Sequence, residues 1–208
     1  MQQSDNKEKD LNELIERIVP LILSKGLKAT TMDSVAGALG ISKRTLYEIF
    51  DSKSEMIRQA LVCLSRKNQE YATEVFARSE NVMEALIAIF KRNRDLIGNV
   101  NVDFYRDMDR LYKDKRATID EWRQSNHDKM LQMLRLGVEQ GMFRPDVDYN
   151  VQSRMMSLQM EALKRIEELF PSDISLLRVF DAIIIGFLRS IASEKGMKIL
   201  DRLTDSLT

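Results

Sequence analysis

Between Thr31 and Phe50 the chain reads TMDSVAGALGISKRTLYEIF, and residues of these sizes and backbone preferences permit little besides two short helices around a tight turn. Gly40 ends the first helix, because glycine enters the left-handed region without a Cβ clash. Ala36 is small where the two helices must cross closely. Ser42 stands where the second helix needs an N-cap, with a hydroxyl that accepts from an unpaired backbone N–H. Val35, Leu39, Ile41, Leu46 and Ile49 then form one buried cluster. The second helix, over about residues 43–50, exposes Lys43, Arg44, Thr45, Tyr47 and Glu48, and such a helix can enter the major groove of duplex DNA.

The remainder of the chain is predicted to be all-α. Three prolines and eight glycines in 208 residues leave long uninterrupted segments with helical periodicity, and no run alternates as a strand would. Hydrophobic residues at 44% and charged residues at 31% suit a folded globular chain rather than a disordered one. The first helix is expected from Asp10, where Asp10 and Glu13 have capping-box spacing, with residues 1–9 frayed. Leu11, Leu14, Ile15, Ile18 and Ile22 form its stripe, Pro20 kinks it and Gly26 ends it. Ser52 and Glu55 open a long fourth helix with Ile57, Leu61, Leu64, Tyr71 and Val75 on one side, too long for the small N-terminal unit alone. Further helices follow over about residues 81–98 and 117–140. Gly141 to Asp148, with Pro145, is the clearest loop, and two last helices are expected over about 149–170 and 172–194, separated by Pro171. The domain boundary is placed at 54/55.

The final predicted helix is apolar around nearly its whole circumference, and a helix of that kind must be covered on both sides. One cover is its own domain. A two-fold dimer is the expected second cover, with Phe180, Ile184, Phe187 and Leu188 as candidate interface residues.

Candidate sites elsewhere each admit a plainer reading. His127, the only histidine, extends a stripe with Leu131, Leu134 and Val138, which makes it a ligand-pocket or pH-switch candidate or a hydrogen-bonded histidine at the solvent edge. Met130, Met133 and Met160, among twelve methionines, suit an adaptable effector pocket or simply fill a core. Phe90 and Trp122 carry the same two readings. Asp103, Asp107 and Asp109 alternate with Arg106, Arg110 and Lys113, which favours a solvated, salt-bridged face over a cation site. One histidine and one cysteine cannot assemble a zinc site of ordinary composition. No GxSxG, P-loop or GxGxxG occurs, so neither a catalytic site nor a cofactor is expected.

Charge and compartment limit the partners. The formal net charge is zero, and from Lys25 to Arg58 six basic residues face four acidic ones, so a duplex would be held by a few placed contacts and with a modest salt dependence. Cys63 has no second cysteine to pair with, the N-terminus lacks the apolar core of a signal peptide, and no apolar run could span a bilayer. The expected location is the cytoplasm, with no membrane partner.

Thr31-Met32, Val35-Ala36, Gly40-Ile41-Ser42, Thr45-Leu46-Tyr47, Phe50 and Ser52-Lys53-Ser54-Glu55-Met56 together resemble the TetR-family transcriptional regulators. The resemblance covers roughly residues 10–60 and implies a three-helix DNA-binding head followed by a helical ligand-binding and dimerisation domain. It implies a homodimer that reads a near-palindromic double-stranded operator, most simply as a repressor released by a small-molecule effector. By the same resemblance Thr31, Tyr47 and Lys53 position phosphates, while Ser42, Lys43, Arg44 and Thr45 face the groove. Arg44 can pair bidentately with guanine or lie along the backbone. Two positions depart from the family: glycine is common where Arg44 stands, and Ile49 replaces an aromatic or histidine phosphate contact. A helical module that grips another protein, or a helical enzyme acting on a pocket ligand, are the competing readings.

Overall fold

The structure, a computed structural model, describes the backbone of residues 2–101, 103, 104, 106, 107 and 116–204, with side chains described for 9–101, 103, 104, 106, 107 and 127–204. Every regular element among these residues is helical, and the isolated bridge between Phe143 and Ala192 is the β-type pairing. Two compact units divide the chain.

The first unit comprises Met1–Glu70 and Asn99–Met108. It contains α1 (Gln2–Lys25), α2 (Met32–Leu39), α3 (Lys43–Ile49) and the first turns of α4 (Lys53–Arg78). The first helix starts well before Asp10, so the Asp10 and Glu13 pair is mid-helix and caps nothing. The preceding residues contain no glycine, proline or β-branched residue, and nothing in them breaks a helix. The helix continues through Pro20 and ends where Gly26 takes φ 81°. Ile15, Ile18 and Ile22 of α1 pack with Met32, Val35, Ala36 and Leu39 of α2, Leu46 and Phe50, and Met56, Ile57, Ala60 and Cys63 of α4. Because those four α4 residues belong to this core, the unit runs past the 54/55 boundary expected from the sequence. Leu61 and Leu64 are only half-buried.

The second unit comprises Tyr71–Gly98 and Asp109–Thr208. Its further helices are α5 (Val82–Gly98), α6 (Arg116–Glu139), α7 (Tyr149–Ala162), α8 (Ile166–Leu169), α9 (Leu176–Ile191) and α10 (Glu194–Thr204). Phe143 anchors the loop after α6. A Cβ on Gly137 would lie 2.1 Å from the Phe143 ring, so only glycine lets that ring rest on the helix. The Arg144 amide donates to the Ile191 carbonyl at 2.8 Å and the Ser193 amide to the Met142 carbonyl at 2.9 Å, stitching the loop to the turn between α9 and α10. Two expectations change here. The helix expected over 149–170 breaks at Leu163–Arg165 into a 3-10 turn, and the chain carries α10, which the sequence reading did not anticipate. Its signals were present: Ser193 accepts the Gly196 amide as an N-cap would, and Met197, Leu200 and Leu203 keep helical spacing.

Candidate nucleic-acid interface

The α2–α3 hairpin is held by local chemistry at both helix starts and at the turn. Thr31 caps α2 by accepting the Ser34 amide at 3.1 Å, and the Ser34 hydroxyl accepts the Thr31 amide at 3.1 Å, a reciprocal box that satisfies two otherwise unpaired donors. Gly40 adopts φ 70°, and the Ile41 amide reaches back to the Ala36 carbonyl. Ser42 accepts the Thr45 amide at 3.0 Å and so starts α3. Leu46 and Phe50, both fully buried, fasten the inner face of α3 to the core.

The outer face of α3 is then free of the protein interior. Lys43, Arg44, Tyr47 and Glu48 are exposed, as is Ser42 beside them. Thr45 is half-buried, and its hydroxyl lies 2.8 Å from that of Ser42. Ile49, expected in the buried cluster, is instead 38% exposed. Its place inside is taken by Phe50, which leaves the helix with an extended backbone (φ −123°, ψ 122°) and turns its ring inward.

Three of the expected DNA-facing cations have partners within the unit. Lys43 Nζ donates to Asp33 Oδ2 at 2.8 Å, and the hydrogen bond to that carboxylate, reinforced by its charge, holds the lysine above the ordinary range. Arg44 Nε donates to Glu48 Oε1 at 2.9 Å. Lys53 Nζ donates to the Lys28 carbonyl at 2.9 Å, leaving two of its three N–H bonds for other acceptors. Asp33 and Glu48 were not among the expected site residues, although the four-residue spacing of Arg44 and Glu48 is visible in the sequence.

The candidate residues of the second unit divide between its core and its surface. Phe90, a pocket candidate, stacks on Phe180, an interface candidate, with centroids 5.6 Å apart, and both are buried. Phe187 and Leu188 are buried in the same unit, so of the four interface candidates only Ile184 is partly accessible. One side of α9 is therefore covered by its own chain, while Leu177, Ile183, Ile184 and Ile185 are half-buried. His127 Nδ1 lies 3.2 Å from Ser153 Oγ, while its buried Nε2 has no hydrogen-bond partner. Met130, Met133 and Met160 are half-buried. Trp122 lies outside the residues whose side chains are described. In the acidic segment Asp103 pairs with Arg106, but Asp107 is buried and not part of a solvated face. Among the described residues no group of three His, Cys, Asp or Glu side chains could hold a metal, and no helix is long and apolar enough to cross a membrane.

Comparison with known proteins places this geometry. Residues 14–60 match the family described as bacterial regulatory proteins, tetR family. Over 155 residues the chain is 30% identical to the HTH-type transcriptional repressor KstR2 of Mycobacterium tuberculosis (strain CDC 1551 / Oshkosh), a match covering 69% of this chain and 74% of the repressor. The solved structure of the ketosteroid transcriptional regulator KstR2 of Mycobacterium tuberculosis shares the fold, with a TM-score of 0.58 at 24% identity over 89% of this chain and 96% of that one. So does a TetR-family transcriptional regulator from Agrobacterium tumefaciens, with a TM-score of 0.68 at 14% identity over 89% and 99%. These relatives are transcriptional regulators and not enzymes. With a capped helix-turn-helix hairpin exposing basic residues, and a match of this extent to a repressor, the chain belongs to the tetR family of DNA-binding transcriptional regulators.

Proposed function

We propose that this chain is a cytoplasmic, homodimeric repressor that reads a near-palindromic duplex operator with α3 and is released when a small molecule binds its second unit. The observation that carries the reading is the two-sidedness of α3: Leu46 is wholly buried while Lys43, Arg44 and Tyr47 stand in solvent on a helix capped at Ser42. Arg44 is the base-reading candidate, since its fork matches the O6 and N7 acceptors of guanine. Ser42, Lys43 and Thr45 face the groove with it, and Thr31, Tyr47 and Lys53 lie along the phosphates. Thr31 does this through a hydroxyl already engaged as a helix cap, which makes its role the more rigid. Two copies of α3 would bind about 34–36 Å apart, one turn of DNA.

For the dimer, expected through the last two predicted helices, the support comes from α7 together with the accessible Ile184 of α9. Val151, Met155 and Leu158 recur at i, i+4 and i+7, and they are 52%, 51% and 71% exposed. Together with Ile184 they form the partner-facing surface of this reading. For the effector, His127 Nε2, Met130, Met133 and Met160 supply a polar handle and adaptable thioethers, and the similarity to a ketosteroid transcriptional regulator makes an apolar compound the first class to try. Such a ligand must bind the released state better than the DNA-bound state, since equal affinity shifts nothing.

Selection from a random duplex pool tests the reading directly. A discrete, two-fold-related sequence should emerge, and Arg44→Ala should weaken its binding without unfolding the hairpin. Enrichment of no sequence would overturn the proposal and favour a protein-binding role for the hairpin.

A further inference from the structure

The first unit is not built from N-terminal residues alone: after α5 the chain supplies it with Asn99–Met108. Three attachments fasten that segment. Phe104 is buried in the unit's core, with Val100 packed against it. The Asn101 amide donates to the Leu23 carbonyl at 2.9 Å, one of the last four carbonyls of α1, which have no acceptor role inside their own helix. Asp107, buried, accepts the Lys28 amide at 2.8 Å across 79 residues of sequence. Gly26 leaves room for the segment, since a Cβ there would meet that of Asp103 at 3.3 Å.

Leu23 and Lys28 bracket the turn from α1 to α2. That turn sets where α2 begins: the buried Thr30 hydroxyl donates to the Gly26 carbonyl at 2.7 Å, and Thr31 caps α2 immediately afterwards. Lys28 is held on both sides of its Cα, its amide by Asp107 and its carbonyl by Lys53. A carboxylate accepting a backbone amide makes a charge-assisted bond, stronger than a neutral one.

We propose that Asp107 is a positioning residue for operator binding, holding the α1–α2 turn so that α2, and with it α3, stands in the arrangement that fits DNA. The inference rests on α3 being the DNA-facing helix. Asp107 itself need not touch DNA. The residues just before Asn99 belong to the second unit, so the segment that secures the turn is delivered directly by α5. When the bond is lost the turn spends less time in its competent form, and apparent affinity falls with the competent fraction.

The test uses the full chain and the duplex obtained by selection, with affinity measured by fluorescence anisotropy and folding by circular dichroism. Asp107→Ala should bind measurably more weakly with an unchanged helical spectrum, by at most roughly ten- to hundredfold, the ceiling set by losing one hydrogen bond to a charged group. Asp107→Asn, whose side-chain carbonyl still accepts the Lys28 amide but without the charge, should fall between wild type and the alanine variant. Should the alanine variant unfold, Asp107→Glu, which displaces the carboxylate by one methylene, should show the same weakening. Wild-type affinity in Asp107→Ala or in Asp107→Glu, or an asparagine variant as weak as the alanine variant, overturns the proposal. If the wild type itself selects no duplex, it is the reading of α3 that fails.

Discussion

Glu48→Gln tests what the acidic residue on α3 does to DNA binding. In the free protein Arg44 Nε is tied to Glu48 Oε1 at 2.9 Å on an exposed face, with 89% of the arginine side chain accessible. An exposed i,i+4 ion pair contributes only about 0.3–0.5 kcal/mol. Glu48 also sits in the last turn of α3, where a negative charge opposes the helix dipole, so the two effects of removing it nearly cancel in stability. Duplex affinity responds differently, because Arg44 becomes free to neutralise a phosphate. At most one added contact per half-site makes two in the proposed dimer, and the slope of log affinity against log salt steepens by up to about 1.8. Between about 50 and 200 mM salt the variant would therefore lose up to roughly twelvefold more affinity than the wild type. Anisotropy titrations on a labelled random-sequence duplex at several salt concentrations measure this. The same substitution on an Arg44→Ala background should leave the slope unchanged, which separates the freed guanidinium from the mere loss of a negative charge. An unaltered slope in the single variant, with an unaltered melting temperature, would refute the argument that Glu48 restrains Arg44.

Three further outcomes are expected. Gly137→Ala should destabilise the second unit despite the roughly 1 kcal/mol that alanine contributes in a helix. The new Cβ would meet the buried Phe143 ring at 2.1 Å, overpacking of this kind costs about 1–3 kcal/mol or more, and a raised melting temperature would contradict it. Leu158→Glu should yield folded monomers by light scattering, whereas a fully dimeric variant would remove α7 from the interface. Burial raises the Tyr149 phenol above its ordinary value of 10.0, so the unfolded chain ionises first and stability falls as the pH climbs past 10. Tyr149→Phe should flatten that alkaline loss in melting experiments, and an unchanged slope would show that the phenol is not its source.

Where the sequence reading erred, it erred on long-range partners. The burial of α9 illustrates this. An all-round apolar helix needs cover on both sides, and that inference is sound, but hydropathy cannot say whose atoms provide it. Phe180 is covered by Phe90 of its own chain, while Val151, Met155 and Leu158 leave an exposed apolar stripe on α7, the other of the two helices through which the dimer is expected. Asp107 shows the same limit. Surrounded by alternating charges in the sequence, it reads as solvated, yet it is buried against an amide 79 residues away. Ile49 fails for a subtler reason, since helix periodicity stops at Phe50, where the backbone becomes extended and a neighbouring side chain enters the core.

The helix-turn-helix hairpin is nevertheless written almost entirely in its own residues. Thr31 with Ser34, Gly40 in the left-handed region, and Ser42 with Thr45 each act across no more than three positions, so their hydrogen bonds and dihedral preferences need no distant partner to be legible. The all-helical architecture follows equally from local period and the scarcity of breakers. Tertiary structure alone decided that Asp33 pairs with Lys43, which apolar stripe stays in solvent, and that a segment following α5 is fastened to the α1–α2 turn. Those outcomes depend on which surfaces meet once the chain has folded, and the spacing of residues along the chain carries no record of that.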